Sequence, residues 1–178
     1  MKKYSLCLVL VLISPLIFSQ LSNEKVIKLT DLEGLWYVNQ TNFPMWLKGN
    51  RTAPRLNYTI QTKRKDTVLF DRVNYIQNEK EKNIKGYDWA LNENHTKFVW
   101  RGKGLLRILK SKWEILYINL EEQWAITYFE KTLFTPEGYD VISKEETLSP
   151  DIQKQVVEKL KDLNVSSTLT SISQKRVE

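Results

Sequence analysis

Few residues in this chain combine the types and spacing that catalysis requires. His95 is the single histidine among the 178 residues, and it lies in the predicted turn 92–95. A Ser-His-Asp site needs an imidazole held beside a hydroxyl nucleophile, which a histidine in a turn does not predict. The acidic pairs Glu121-Glu122 and Glu145-Glu146 also fall in predicted turns, and adjacent strand residues would face opposite ways. The sequence therefore predicts no catalytic residues and no enzyme.

Metal and cofactor chemistry finds equally little support. Zinc sites are built mostly from several Cys and His side chains, whereas this chain has one of each. Cys7 lies in a segment that we predict to be removed. A surface position for His95 is favoured over a role as a haem ligand. We therefore predict no metal site and no cofactor.

The first nineteen residues have the pattern of a secretory signal. Met1-Lys2-Lys3 is basic, Leu6 to Phe18 is apolar apart from Ser14-Pro15, and Ser19 offers a small residue for cleavage. The apolar stretch is shorter than the ~20 residues of a membrane span. The alternative is an uncleaved N-terminal anchor. We predict a signal peptide over 1–19 and a secreted or periplasmic protein, without a lipid-attachment cysteine.

The charge of the remaining chain is modest and dispersed. Without Lys2 and Lys3, the 27 basic residues fall to 25 against 21 acidic ones, a formal charge of +4. Basic clusters such as Lys63-Arg64-Lys65 and Lys110-Ser111-Lys112 fall at plausible turns, which indicates a solvated surface. Nucleic-acid binding requires a basic face, so we predict none. The charge allows a peripheral contact with a membrane.

Between residues 34 and 144 the pattern is β. Short runs rich in aromatic and branched residues alternate with polar turns. The segment 102–110 either extends the fifth strand or forms an apolar loop. We predict eight strands, at 34–40, 55–61, 67–75, 83–91, 97–101, 112–119, 123–130 and 138–144.

One helix follows the strands. Ser149 suits the N-cap and Pro150 the first helical position. Apolar residues then recur at helical spacing, which predicts a helix with one face to bury against the sheet. Asn164 is a plausible stop, and 165–178 is predicted to be a loose tail. The apolar stripe comprises Ile152, Val156, Leu160 and Leu163, widened by Val157.

Eight short antiparallel strands and one helix favour an all-β fold, either a barrel or a sandwich. Closure into an up-and-down barrel removes the exposed strand edges that invite aggregation. An eight-stranded barrel has an interior just wide enough for side chains or for one small ligand. The sequence pattern alone does not decide whether side chains or a ligand fill the barrel.

Several motifs resemble the lipocalin family, most closely its bacterial and plant members. Gly34-Leu35-Trp36-Tyr37, followed by Phe43-Pro44-Met45-Trp46, is similar to the signature of the first lipocalin strand. Asn57-Tyr58-Thr59, Gly86 and Val141-Ile142-Ser143-Lys144 resemble later family motifs in the same order. The resemblance implies an eight-stranded antiparallel up-and-down barrel over 20–164, with the helix packed outside. It also implies that Trp36 packs across the closed end.

Two departures from the family pattern are informative. The arginine that stacks on the first-strand tryptophan in the family is replaced here by Lys144, which lacks the planar fork of arginine. A lysine ammonium can still lie over the Trp36 ring. The acidic turn of the family is replaced by Leu120-Glu121-Glu122-Gln123.

The resemblance implies a ligand site inside the barrel. Strand alternation places Asp140, Ile142 and Lys144 on one face, and the family likeness turns that face inward. Asp140 would then need a partner such as Lys144 or Arg101, whereas a bulged strand would leave it in solvent. Each tryptophan ring either lines a ligand cavity or has a structural role, in which it fills the barrel or seats the helix. The predicted ligand-binding residues are Trp36, Tyr58, Trp89, Trp100, Leu116, Ile118, Trp124, Asp140 and Ile142.

The sequence therefore predicts an exported carrier that binds a small hydrophobic molecule, such as a lipid or fatty acid. The alternative is an interaction module with a filled barrel that binds a protein or an envelope component. An enzyme on the same scaffold is less favoured, although fold alone does not fix function.

Overall fold

The computed structural model describes residues 26–174, so the predicted signal peptide lies outside the described residues. Within these residues, nine strands, three helices and one 3-10 turn follow one another. In this order they are α1 (Leu29–Leu32), β1 (Gly34–Thr41), α2 (Pro44–Leu47), β2 (Thr52–Lys63), β3 (Asp66–Gln77), β4 (Lys80–Ala90), β5 (Lys97–Gly102), the 3-10 turn Gly104–Ile108, β6 (Lys110–Asn119), β7 (Trp124–Phe129), β8 (Gly138–Ser143), α3 (Pro150–Asp162) and β9 (Thr170–Ser171).

The strands β1 to β8 form a closed antiparallel barrel. Each strand pairs with the next along the chain, and β1 closes the circle by pairing with both β2 and β8. The register places Gly34 opposite Tyr58 and Tyr37 opposite Ser143. The predicted eight-stranded up-and-down barrel with an outer helix is confirmed, and each predicted strand overlaps an observed one.

The closed end is plugged by residues from the N-terminal segment and β1. Trp36 is fully buried, and its indole nitrogen donates to the carbonyl oxygen of Leu32 at 2.7 Å. The ammonium of Lys144 lies 4.3 Å from the centre of the Trp36 ring and donates to the carbonyl oxygen of Glu33. Burial lowers the pKa of Lys144 to about 8, and the Glu33 carboxylate opposes this shift. Lysine thus occupies the place of the family's stacking arginine.

Glycine is favoured at position 34 for two reasons. Its φ of +95° lies in the region that glycine adopts readily. In addition, a Cβ atom there would lie 3.2 Å from the Lys144 ammonium nitrogen. The glycine of the Gly-x-Trp motif therefore makes room for the cation that covers the tryptophan.

Helix α3 packs on the outside of the barrel. Ser149 accepts a hydrogen bond from the amide of Ile152, as expected of an N-cap. Val156 is fully buried against Trp124, Ile126 and Val141. Val157 was wrongly included in the apolar stripe, because its side chain is 65 % exposed. Its position, one residue after Val156, turns it about 100° away from the buried face.

The end of α3 and the start of the tail are ordered by backbone bonds. Asn164 has a φ of +54°, and the next amide, of Val165, bonds back to the carbonyl oxygen of Leu160. The short strand β9 then pairs with Gln40 and Thr41 of β1. The expectation of a loose tail therefore does not describe residues 170–174. Backbone groups of β9 pair with the part of β1 that lies beyond its pairing with β2.

The segment after β5 is neither a strand extension nor a simple loop. It forms the 3-10 turn, in which Leu105 is 96 % exposed while Leu106 faces the interior. Within residues 26–174, no helix has the length and apolar character needed to cross a membrane.

Candidate ligand cavity

A cavity of about 490 Å³ lies inside the barrel, at the end opposite Trp36. Its entrance is formed by α2, the 3-10 turn and the loop between β7 and β8. Seven aromatic rings contribute to its walls, and its charged lining residues are Arg51, Asp71 and Asp140. The lining comprises Phe43, Met45, Trp46, Arg51, Leu56, Tyr58, Asp71, Val73, Tyr75, Ile84, Trp100, Leu106, Leu109, Ser111, Trp113, Phe129, Thr135 and Asp140.

The aromatic walls are held by ring-to-ring packing. Trp113 stacks on Phe98 at 4.5 Å between ring centres and on Phe129 at 5.9 Å. Tyr58 lies nearly parallel to Trp113 at 6.3 Å. Such pairs add about 0.5–1.5 kcal/mol beyond the burial of area, so the contacts between these rings stabilise the wall.

Trp100 sits on the wall because β4 carries a glycine beside it. A Cβ atom at Gly86 would lie only 2.2 Å from the indole of Trp100. Without a side chain at position 86, the indole can lie close to the neighbouring strand. The glycine noted in the sequence motif thus shapes the cavity wall.

Three carboxyl groups are buried inside the barrel, on three different strands. Asp71 of β3 receives a hydrogen bond from Trp100, and Asp88 of β4 accepts one from the Trp113 indole at 2.6 Å. Asp140 of β8 accepts a hydrogen bond of 2.5 Å from the Thr41 hydroxyl. Each side chain is at most 6 % exposed. Alternation along the strands turns these carboxyls inward.

Burial changes the acidity of all three carboxyls. Loss of solvation raises the pKa of Asp140 to about 7, although the Thr41 hydrogen bond opposes the shift. Burial likewise raises the pKa of Asp88 to about 7. Burial, reinforced by the nearby Asp88, raises the pKa of Asp71 well above its usual value. Burial and these three carboxyls also raise the pKa of the Tyr58 hydroxyl.

Three residues from the sequence-predicted ligand site line this cavity. They are Tyr58, Trp100 and Asp140. The inward face predicted for Asp140 and Ile142 is observed. However, neither Lys144 nor Arg101 is the partner of Asp140, because Lys144 covers Trp36 and Arg101 lies on the outer face beside Trp89.

Three other predicted residues lie beyond the cavity, in the packed core. Trp36, Ile118 and Ile142 belong to the main hydrophobic cluster with Ile27 and Leu32. These side chains face into the barrel as expected. They fill the closed end of the barrel and pack beneath the floor of the cavity, but they do not line it.

The last three predicted residues face out of the barrel. Trp124 and Leu116 pack in the cluster beneath α3, while Trp89 packs with Phe70 and Tyr87 on another part of the outer surface. The placement of Leu116 was wrong because the β6–β7 register shifts between Ile115 and Tyr117. Such a bulge changes which residues face inward along the strand.

Several cavity residues were missed by the sequence analysis. The most important are Asp71, Trp46 and Trp113. In β3, Leu69, Asp71 and Val73 occupy alternate positions of one strand, and this was the available signal for Asp71. Trp46 follows the Phe-Pro motif, but its position over the entrance depends on the path of the chain after β1.

Comparison with solved structures supports the fold. Insecticyanin from the tobacco hornworm Manduca sexta is 15 % identical over 84 % of this chain and 82 % of its own, with a TM-score of 0.66. Lobster apocrustacyanin A1 is 16 % identical over 82 % and 79 %, with a TM-score of 0.62. The siderocalin Ex-FABP is 11 % identical over 83 % and 97 %, with a TM-score of 0.61.

These similar structures are lipocalins, and the present chain has the lipocalin fold. At such low identity the likeness establishes the architecture alone. No family model and no curated protein matches the sequence. Any function must therefore be argued from the cavity.

Proposed function

We propose that this chain is an exported carrier that holds a small hydrophobic molecule, such as a lipid or fatty acid, inside the barrel. The open, aromatic-walled cavity of about 490 Å³ is the observation that carries the proposal. Ligand sites are typically concave and mostly apolar, with a few placed polar groups. Burial of apolar ligand surface in a preformed cavity would supply the binding energy.

The comparisons add coarse support for a carrier. One similar protein, the siderocalin Ex-FABP, is described as functioning through dual ligand specificities. The filled-barrel alternative fits the observed interior less well, since space remains between the walls. Export rests on the predicted signal peptide over 1–19, and the mass of the exported protein would test the cleavage.

The charges of the cavity restrict how a fatty acid could bind. Its carboxylate would be repelled by ionised Asp71 and Asp140, whereas Arg51 lies near the entrance with its guanidinium 5.1 Å from the centre of the Tyr75 ring. A fatty acid would therefore enter tail first and keep its carboxylate beside Arg51.

The rim of the entrance suggests where the ligand is loaded. Leu105 and Ile108 of the 3-10 turn are 96 % and 83 % exposed, and Leu133 and Phe134 of the β7–β8 loop are 90 % and 71 % exposed. Exposed apolar groups in this number mark a contact site. We propose a peripheral contact between this rim and a membrane surface.

Titration with apolar ligands tests the carrier function. Trp100 and Trp113 lie in the cavity wall, so a bound ligand should change the tryptophan emission in a saturable way. Val73→Trp, which fills the cavity, should weaken binding at least tenfold. Val157→Trp on the exposed face of α3 is the matched control and should leave affinity unchanged. A flat response to every ligand would contradict the proposal.

A further inference from the structure

The barrel interior holds more acidic than basic side chains. Asp71, Asp88 and Asp140 are buried within it, while Arg51 is the one cation among the cavity-lining residues. None of these carboxyls takes part in an ion pair within residues 26–174. The ion pairs there join Arg55 to Glu81, Lys97 to Glu114, Lys112 to Glu130 and Lys159 to Asp162.

The carboxyl of Asp71 has an unused oxygen in the cavity wall. Its side chain lines the cavity and is 6 % exposed, and its Oδ1 atom has no hydrogen-bond partner among the described residues. A buried polar atom without a partner is costly, and native proteins seldom retain one without a reason. A ligand that donates a hydrogen bond or carries positive charge would satisfy it.

The surrounding rings are also suited to positive charge. Tyr58 lies directly opposite Asp71 in the β2–β3 pairing, and Trp100 donates to the Asp71 carboxyl. Trp113 stacks behind Tyr58. Aromatic faces attract cations, and clusters of them recognise ammonium groups. The carboxyl and the rings therefore favour the same ligand charge.

A metal ion is a poorer fit than an organic cation. Among the residues that the structure describes, no group of three or more His, Cys, Asp or Glu side chains is arranged to hold a metal. The walls around Asp71 are apolar and aromatic, whereas calcium and magnesium require shells of oxygen ligands.

We propose that the cavity binds a small apolar molecule that carries an ammonium group, with this group facing Asp71 and Asp140 and the apolar body against the aromatic walls. The inference rests on the proposed carrier function and specifies its ligand class. A protonated amine can donate to the free oxygen of Asp71 and neutralise the interior charge. The guanidinium of Arg51 lies over the Tyr75 ring.

Binding of such a cation should depend on pH. The titratable and charged groups that line the cavity are Tyr58 of β2, Asp71 and Tyr75 of β3, Asp140 of β8 and Arg51 before β2. Asp88 of β4 does not line the cavity but raises the pKa of Tyr58. Burial raises the pKa of the three carboxyls, so each keeps its proton to a higher pH than an exposed carboxyl does. A cation then binds with release of protons, and its affinity should rise with pH.

A series of three ligands with the same chain tests the charge preference. Decylamine, decanol and decanoate differ in carrying a positive, a neutral and a negative head group at pH 7.5. We expect decylamine to bind at least tenfold more tightly than decanol, and decanoate to bind most weakly. Isothermal titration calorimetry with the mature protein gives the three affinities.

Two variants assign the preference to the buried carboxyls. Asp71→Asn keeps an acceptor for Trp100 but removes the charge, so the advantage of decylamine over decanol should fall below about threefold. Asp140→Asn should lower it in the same direction and serves if the first variant fails to fold. Asp66→Asn, at an exposed turn, is the matched control and should retain the full advantage.

A ligand of fixed charge isolates the titration of the protein. Decyltrimethylammonium remains cationic at every pH, and we expect its affinity to rise about tenfold between pH 5.5 and 7.5. Equal affinities for decylamine and decanol would overturn the inference while leaving the carrier function standing. If none of the three decyl ligands binds, the carrier proposal fails and the inference fails with it.

Discussion

At the scale of single residues, three carboxyl groups, those of Asp71, Asp88 and Asp140, are buried in the described part of the barrel. Each is held by one neutral donor: Trp100 for Asp71, Trp113 for Asp88 and Thr41 for Asp140. A single neutral hydrogen bond does not compensate for the solvation that an ionised carboxylate loses on burial. Ionisation of these carboxyls therefore lowers the stability of the ligand-free protein, and the size of this effect depends on pH.

Asp140 allows this penalty to be measured. Its pKa is about 7 in the folded protein and 3.8 in an exposed carboxyl, so the folded state binds more protons between these values. The contribution of Asp140 to the free energy of unfolding is therefore largest below about pH 4 and decreases as the pH rises to about 7. The loss amounts to at most about 4 kcal/mol. Asp140→Asn should remove it, and the variant should be more stable than the parent at pH 8.

Urea denaturation of the ligand-free protein at pH 5 and pH 8 tests this expectation. The Asn side chain still offers an acceptor to Thr41, so any change should come from the lost charge. Asp66→Asn, on the exposed β2–β3 turn, should leave the pH dependence as it is. If the Asp140→Asn variant shows the same pH dependence as the parent, the buried carboxyl is not responsible.

At the scale of elements, the contact between β4 and β5 fixes the cavity wall. Gly86 and Gly102 face each other across these strands, and the Trp100 indole covers Gly86. Gly86→Ala would force the indole away, because its Cβ would approach to 2.2 Å. Such overpacking typically costs about 1–3 kcal/mol. We also expect weaker ligand binding and a changed tryptophan emission spectrum.

A double-mutant cycle distinguishes this contact from a general effect of alanine in β4. In a Trp100→Ala background the indole is gone, so Gly86→Ala should cost little or even stabilise the strand. Chemical denaturation of the four proteins gives the coupling between the two positions. An equal cost in both backgrounds would show that the Gly86–Trp100 contact does not matter.

Most of the fold could be predicted because its signals are local. Strand length, turn residues and the Ser149-Pro150 helix start all lie within short stretches of sequence. The site was harder, because alternation identifies two faces of a strand without saying which one faces inward. Leu116 and Ile118 share parity, yet the bulge after Ile115 turns Leu116 outward. Trp124 faces out because α3, far along the chain, covers it.

At the scale of the whole molecule, the two ends of the barrel have opposite characters. One end is plugged by Trp36 and the N-terminal segment, while the other opens between two segments with exposed apolar side chains. The segment 103–110, which contains the 3-10 turn and the first residue of β6, adds three basic residues, Lys103, Arg107 and Lys110, and contains no acidic one. Apolar tips beside basic groups are the combination that binds anionic membrane surfaces.

The proposed membrane contact can be tested with vesicles of phosphatidylcholine, with and without phosphatidylserine. The protein should sediment with the anionic vesicles, and added salt should weaken this binding because it screens the basic groups. Leu105→Ser combined with Ile108→Ser should lower the affinity about tenfold, the effect of about 1.4 kcal/mol of lost apolar burial. The fold should be unaffected, since both side chains are exposed.

Leu91 and Val157 provide the matched control, because they are 53 % and 65 % exposed but lie away from the entrance. Replacing both with serine removes similar apolar groups from another part of the surface, so vesicle binding should persist. Equal loss in the two double variants would mean that apolar exposure in general, and not the rim, drives the association. Loss confined to the rim variant would place the open end of the barrel against the membrane, where an amphiphilic ligand could enter without crossing water.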